Sequence, residues 1–144
     1  MNHPLPLDHI QLVDSIKDYK EAINLAATPL LNDGFISVSY IDAMLEAIEK
    51  FGPYIVLQEA FAMPHALPED GVKKTGVSLL VVRQGVDLLG HTIKVFLVLA
   101  PKTRDALNTM LTNLAEFLMN KQNIINLYNA KSVKSIQKLL EESW

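Results

Sequence analysis

Apolar positions change their period several times along the chain, and each change predicts an element. Ile10 to Val13 is a short apolar run that reads as a strand. From Asp18 to Leu31 the apolar residues are Tyr19, Ala22, Ile23, Ala26, Ala27, Leu30 and Leu31, which share one helical face. Asp18 stands where a helix cap belongs, with Glu21 three residues on, and Gly34 closes the segment. A second helix is predicted over 39–50, with Tyr40, Ile41, Met44, Leu45 and Ile48 inward and Asp42, Glu46, Glu49 and Lys50 outward. Phe51-Gly52-Pro53 stops it, because proline disfavours helix in the residue before it. Tyr54 to Leu57 is a short strand candidate.

Two stronger strands follow, over 75–82 and 93–100, rich in β-branched and apolar residues as strands covered on both faces should be. A stretch carrying Gly85, Asp87 and Gly90 separates them and reads as turn. Helical spacing returns with Leu107, Met110, Leu111, Leu114, Phe117 and Leu118, and a last helix is predicted over 133–142. Between them, the asparagine-rich stretch 121–131 fits a broken helix and a loop equally. The alternation predicts an α/β fold: a three-layer sandwich with a central mixed β-sheet flanked by helices, in one domain spanning 1–144.

Composition narrows the function classes. With 144 residues and 49% hydrophobic content the chain can bury a substantial core. It has no cysteine, which excludes disulfides, thiolate metal sites and cysteine nucleophiles. The net charge of −3 is spread out, and the basic pair Lys73-Lys74 is short, so nucleic acid is not the expected partner. The longest apolar runs are too short to span a bilayer. MNHPLPLDHIQL lacks a basic stretch leading into an apolar one, so no secretory signal is expected and the cytoplasm is the default location.

Four histidines remain to be weighed. His3 and His9 lie near a terminus expected to be mobile and are read as structural. His91 opens a strand beside Gly90 and is read as an exposed strand end. His65 differs, because Pro64 and Pro68 stiffen the chain around it and Glu69-Asp70-Gly71 has turn character. The chain therefore ends a strand and holds an imidazole on a stiff loop. Its neutral form, common near neutral pH, has a ring nitrogen free to act as base, ligand or nucleophile.

Glu69 and Asp70 are the only nearby ligand types, and no HxH or HxxxH accompanies them, so zinc is not expected. No GxSxG elbow supports a serine hydrolase, and a hydrolase with His65 as general base is a minor rival. Neither GxxxxGK[ST] nor GxGxxG is present, so no nucleotide cofactor is expected. An imidazole acting as the nucleophile itself survives these tests.

The stretch AMPHALPEDGVKKTGVSLLVV, preceded by EKFGPYIVLQEAF, resembles the enzyme IIA domains of the bacterial sugar phosphotransferase system. The likeness is to the fructose/mannitol class and, within it, most to the ascorbate-type branch. It runs over nearly the whole chain, from the helix ending near Gly34 to the Lys73-Lys74-Thr75-Gly76 strand start. Met63-Pro64-His65 matches that class's phosphorylation motif.

The resemblance implies a cytoplasmic phosphocarrier without metal or nucleotide. His65 would take a phosphoryl group from phosphohistidine on the carrier HPr and pass it to a cysteine of a cognate enzyme IIB, which serves the membrane permease enzyme IIC. Thr75 is a candidate hydrogen-bond donor to the phosphoryl oxygens, or else an ordinary strand residue. Lys73 and Lys74 would offset charge or remain solvated, and Glu69 and Asp70 are expected to face outward. Two departures stand out. Many members carry a second histidine early in the long C-terminal helix, where this chain has Ala106 or Leu107, leaving Arg104 as a substitute cation. Mannitol- and fructose-type members often have an arginine late in the second helix, where this chain has Ile48-Glu49. The missing histidine keeps open a regulatory module that binds partners by phosphorylation state without feeding transport. Periodicity does not separate a carrier-docking surface from a homodimer face, so a homodimer stays open, as does the carbohydrate.

Overall fold

The computed structural model describes residues 5–143, which form five strands and five α-helices. His3 lies outside the described residues. Strands β1 (Ile10–Val13), β2 (Val56–Gln58), β3 (Phe61–Ala62), β4 (Gly76–Leu88) and β5 (His91–Ala100) make one mixed sheet ordered β1-β4-β5-β3-β2. β1 runs parallel to β4 and β3 parallel to β5, while β4–β5 and β2–β3 are antiparallel.

Alternation along the strands divides the molecule into the predicted three layers. Leu80, Val82, Phe96, Val98 and Ala62 face α1 (Tyr19–Asn32) and α2 (Val38–Phe51). Leu79, Val81, Val95, Leu97, Leu99 and Phe61 face α3 (Arg104–Leu118), α4 (Lys121–Asn129) and α5 (Val133–Ser143). Central strands buried on both sides need this unbroken apolar sequence.

The first helix begins as its sequence requires: the Asp18 carboxylate accepts the Glu21 N–H at 2.8 Å. Pro29 sits inside it and lacks the N–H that would reach Leu25. The side-chain amide of Gln11 on β1 takes the freed Leu25 carbonyl instead, at 2.7 Å.

Several elements differ from their sequence readings. Gly85 does not end a strand. It lies in a bulge between Val81 and Val86, φ 77°, and β4 continues to Leu88. The turn itself is two residues, Leu89 and Gly90, with φ of 49° and 96°, between the paired Leu88 and His91. The strand expected at 54–57 starts two residues later, because Tyr54 still belongs to the corner, its N–H on the Gly52 carbonyl at 2.9 Å. The stretch 121–131 is mostly helix, capped by the Asn120 side chain on the Gln122 N–H at 3.0 Å.

His9 is structural, but not through a mobile terminus. The residue is 3% exposed, Nδ1–H donates to the Val77 carbonyl at 3.1 Å, and Nε2 lies 2.7 Å from Asp33 Oδ2. Leu5 is buried as well, its carbonyl held by Gln137 at 2.8 Å, so this segment is part of the core. His91 is exposed at the start of β5, as expected.

Candidate functional site

β3 is only two residues long, and it delivers the chain directly into Met63-Pro64-His65. The parallel pair β3 and β5 ends on this side of the sheet, and β4 begins here. Loops leaving the carboxyl ends of strands are where open α/β sheets build their sites. His65 and Thr75 thus flank the end of β5. The Pro64 carbonyl accepts from Leu99 N at 3.1 Å on one side, and Gly76, next to Thr75, pairs with Ala100 on the other.

The loop is held by bonds rather than by bulk alone. Met63 N donates to the Ile55 carbonyl at 2.9 Å. The His65–Ala66 peptide unit is gripped at both ends: Tyr54 O–H donates to the His65 carbonyl at 2.9 Å, and Ala66 N–H donates to the Tyr40 oxygen at 3.0 Å. Tyr40 is buried on α2 and sends its own proton to the Leu99 carbonyl at 2.6 Å. Burial raises the pKa of both phenols, so both keep the protons these contacts require. Asp70 closes the loop by accepting from Leu67 N at 2.9 Å.

The imidazole is half-buried, and its Nδ1 lies 2.8 Å from the Met63 carbonyl oxygen. A carbonyl only accepts, so the proton is on Nδ1. That fixes the tautomer and leaves the Nε2 lone pair without a hydrogen-bond partner among the described residues. The Tyr54 ring stands nearly perpendicular to the imidazole, 73° away in plane and 5.6 Å between centroids. The result is an oriented ring on a loop held at both ends, and in the neutral ring Nε2 is the nitrogen with the lone pair, suited to attack an electrophile delivered from outside.

The remaining predicted residues divide. Thr75 is exposed, and its hydroxyl oxygen accepts the Lys102 N–H at 3.0 Å, tying the start of β4 to the approach of α3. Its O–H proton has no acceptor among the described residues. Lys73 and Lys74 are exposed. Both donate backbone N–H to the Phe35 carbonyl, and the Lys74 ammonium lies 4.6 Å from the Phe35 ring centroid. Glu69 faces outward as expected and carries Arg104 at 2.7 Å. Asp70 does not face outward: its carboxylate turns back to cap the turn.

Arg104, read as a substitute cation, is therefore engaged with Glu69 across a shallow depression that Lys102 also borders. Both partners are more than half exposed, so the pair is worth at most about 1 kcal/mol and can exchange. Ala106 and Leu107 are half-buried in the first turn of α3 and offer no titratable group; the Ala106 N–H is used by the Thr103 cap at 3.0 Å. Ile48 is wholly buried and Glu49 pairs with Lys20 on α1 at 2.8 Å.

Sequence reasoning missed the hydroxyls of Tyr40 and Tyr54. Helical spacing places Tyr40 on an apolar face, although a buried phenol needs a partner for its O–H and thereby points to one. A separate grouping joins Asp8, His9 and Asp33, whose ligand-type atoms lie within 4.8 Å of one another. The 2.7 Å between His9 and Asp33 is a hydrogen-bond length. Two ligand atoms sharing a tetrahedral zinc stand about 3.3 Å apart.

The sequence profile of the family described as "Phosphoenolpyruvate-dependent sugar phosphotransferase system, EIIA 2" matches residues 4–143. The chain belongs to this enzyme IIA family. It is 34% identical to the mannitol-specific cryptic phosphotransferase enzyme IIA component of Escherichia coli K12 over 94% of this chain and 93% of that protein. The solution structure of the E. coli cryptic mannitol enzyme IIA superposes with a TM-score of 0.90, at 33% identity over 96% of each chain. The ascorbate-specific EIIA component of E. coli K12 is 36% identical over 54% of this enzyme IIA and 51% of that protein. An E. coli mannitol enzyme IIA, solved in complex with phosphorylated enzyme IIB, superposes with a TM-score of 0.82 at 27% identity, covering 96% and 97% of the two chains. This enzyme IIA is a phosphotransferase-system component with the α/β architecture of its relatives, as the resemblance implied.

Proposed function

We propose that Nε2 of His65 is the phosphoryl acceptor of this enzyme IIA, loaded by phosphorylated HPr in the cytoplasm and discharged to a cysteine of enzyme IIB, which serves the permease enzyme IIC. The observation that carries the reading is the Nδ1–H bond to the Met63 carbonyl, which leaves Nε2 as the nucleophile. The solved complex of a related mannitol enzyme IIA with phosphorylated enzyme IIB supports the direction of onward transfer.

The Nε2 lone pair forms a bond to phosphorus as the bond from phosphorus to the donor's ring nitrogen breaks. That electron pair returns to the donor imidazole. Positive charge develops on the His65 ring, and the Met63 carbonyl, already on Nδ1–H, stabilises it. Phosphoryl transfer passes through a loose transition state that depends on in-line positioning, which a fixed ring supplies without moving. The product is a phosphoramidate, labile enough to be handed on. Thr75 O–H is a donor for the phosphoryl oxygens. The exposed apolar surface of Tyr54 beside the ring, and of Leu67 two residues along the loop, gives a partner protein surface to cover.

The test is a relay with phosphoenolpyruvate, enzyme I, HPr and a cognate enzyme IIB. Wild type should gain one phosphoryl group and pass it to the enzyme IIB cysteine, and His65→Ala should do neither. Loading without onward transfer would favour a regulatory module, and loading of His65→Ala would remove the site assignment.

A further inference from the structure

The two tyrosines on the His65–Ala66 peptide are not equivalent. Tyr40 is buried and bonded to β5 and the loop, so it belongs to the frame. Tyr54 is 39% exposed and meets the site by two routes: its O–H on the His65 carbonyl, and its ring against the imidazole. We infer that Tyr54 is a positioning residue for phosphoryl transfer, holding the His65 ring in the orientation that keeps Nδ1–H on the Met63 carbonyl and Nε2 outward. The inference rests on His65 being the acceptor.

The Nδ1–H bond closes through the Met63–Pro64 and Pro64–His65 peptides, so it survives only while the His65 Cα stays placed and its side-chain torsions stay set. Tyr54 anchors that Cα from the other side, through the His65 carbonyl. A half-turn of the imidazole would put a carbon on the Met63 carbonyl and break the Nδ1–H bond. The Tyr54 ring packs near-perpendicular to the imidazole, centroids 5.6 Å apart, and that contact holds the ring orientation. Tyr54 itself is set by local chain: Gly52, φ 81°, and Pro53 turn the end of α2, and Tyr54 N bonds the Gly52 carbonyl at 2.9 Å. A position that only packs would not need a hydroxyl aimed at one carbonyl while leaving more than a third of the residue in water.

The experiment compares Tyr54→Phe and Tyr54→Ala with wild type, using phosphorylated HPr as donor. Three quantities are measured: the single-turnover loading rate, the thermal midpoint, and the ring nitrogen signals of His65 by nitrogen-15 NMR. Tyr54→Phe keeps the ring and loses the carbonyl tether, and its rate should fall about tenfold with a wild-type midpoint. Tyr54→Ala loses both and should fall about a hundredfold. Its His65 signals should show the Nδ1–H tautomer giving way to a mixture. Wild-type rates in both variants would overturn the inference and leave the acceptor assignment standing. So would slow rates with an unchanged tautomer and a loss matching the unfolded fraction. Failure of the acceptor assignment appears separately, as persistent loading of His65→Ala.

Discussion

Met63 and His65, two residues apart, close a ring through space: the Met63 carbonyl accepts the Nδ1–H of His65 at 2.8 Å. Pro64 lies between them, and its own carbonyl is held by β5. The local sequence thus selects one tautomer and one direction for the imidazole, and the chemistry of the site follows from that selection.

Tyr40 tests how the frame holds the loop. Tyr40→Phe leaves the buried Ala66 N–H without its acceptor, which should cost about 1–3 kcal/mol in denaturant unfolding. Burial raises the Tyr40 pKa above its unfolded value of about 10. Its contribution to stability is therefore fully present below pH of about 10 and is lost as pH rises through the folded value. The alkaline limb of the stability curve should flatten in Tyr40→Phe, and an unchanged limb would contradict the assignment.

His9 and Asp33 should separate burial from pairing. His9→Ala removes a buried ring, its bond to Val77 and its contact with Phe35, and should cost about 3 kcal/mol. Asp33→Ala leaves Nε2 of the buried ring without its partner but keeps the packed ring, so it should cost less, about 1–2 kcal/mol. Equal losses in urea unfolding would show that the His9–Asp33 contact, not the burial, holds the segment.

Gly76 opens β4 with no room for a side chain. A Cβ there would stand 2.5 Å from Phe35 Cδ2 and 2.7 Å from Cε2, and that ring packs on His9 and under Lys74. Gly76→Ala should lower stability by about 1–3 kcal/mol and shift the His9 ring resonances. A wild-type midpoint with unmoved resonances would mean that Phe35 has slack.

What could be read from the sequence follows from where each signal resides. The faces of α1, α2 and α3 were legible because their apolar residues repeat at helical spacing. The helix α4 was not, because only Ile124 and Leu127 are buried among asparagines and glutamine. Gly85 reads as a turn by its residue type, and only the pairing across β4 and β5 shows the bulge. His9 was misplaced by its nearness to the terminus, since its partners Asp33 and Val77 are distant in sequence. The stiff loop that carries His65 was legible from the prolines around it, whereas the Tyr40 and Tyr54 hydroxyls meet that loop only in the fold.

The most direct measurement locates the phosphoryl group on the ring. Enzyme IIA labelled with nitrogen-15 at histidine, loaded from phosphoenolpyruvate through enzyme I and HPr, should show phosphorus coupling to Nε2 of His65 and a retained Nδ1–H. Coupling to Nδ1, or to another histidine, would contradict the account.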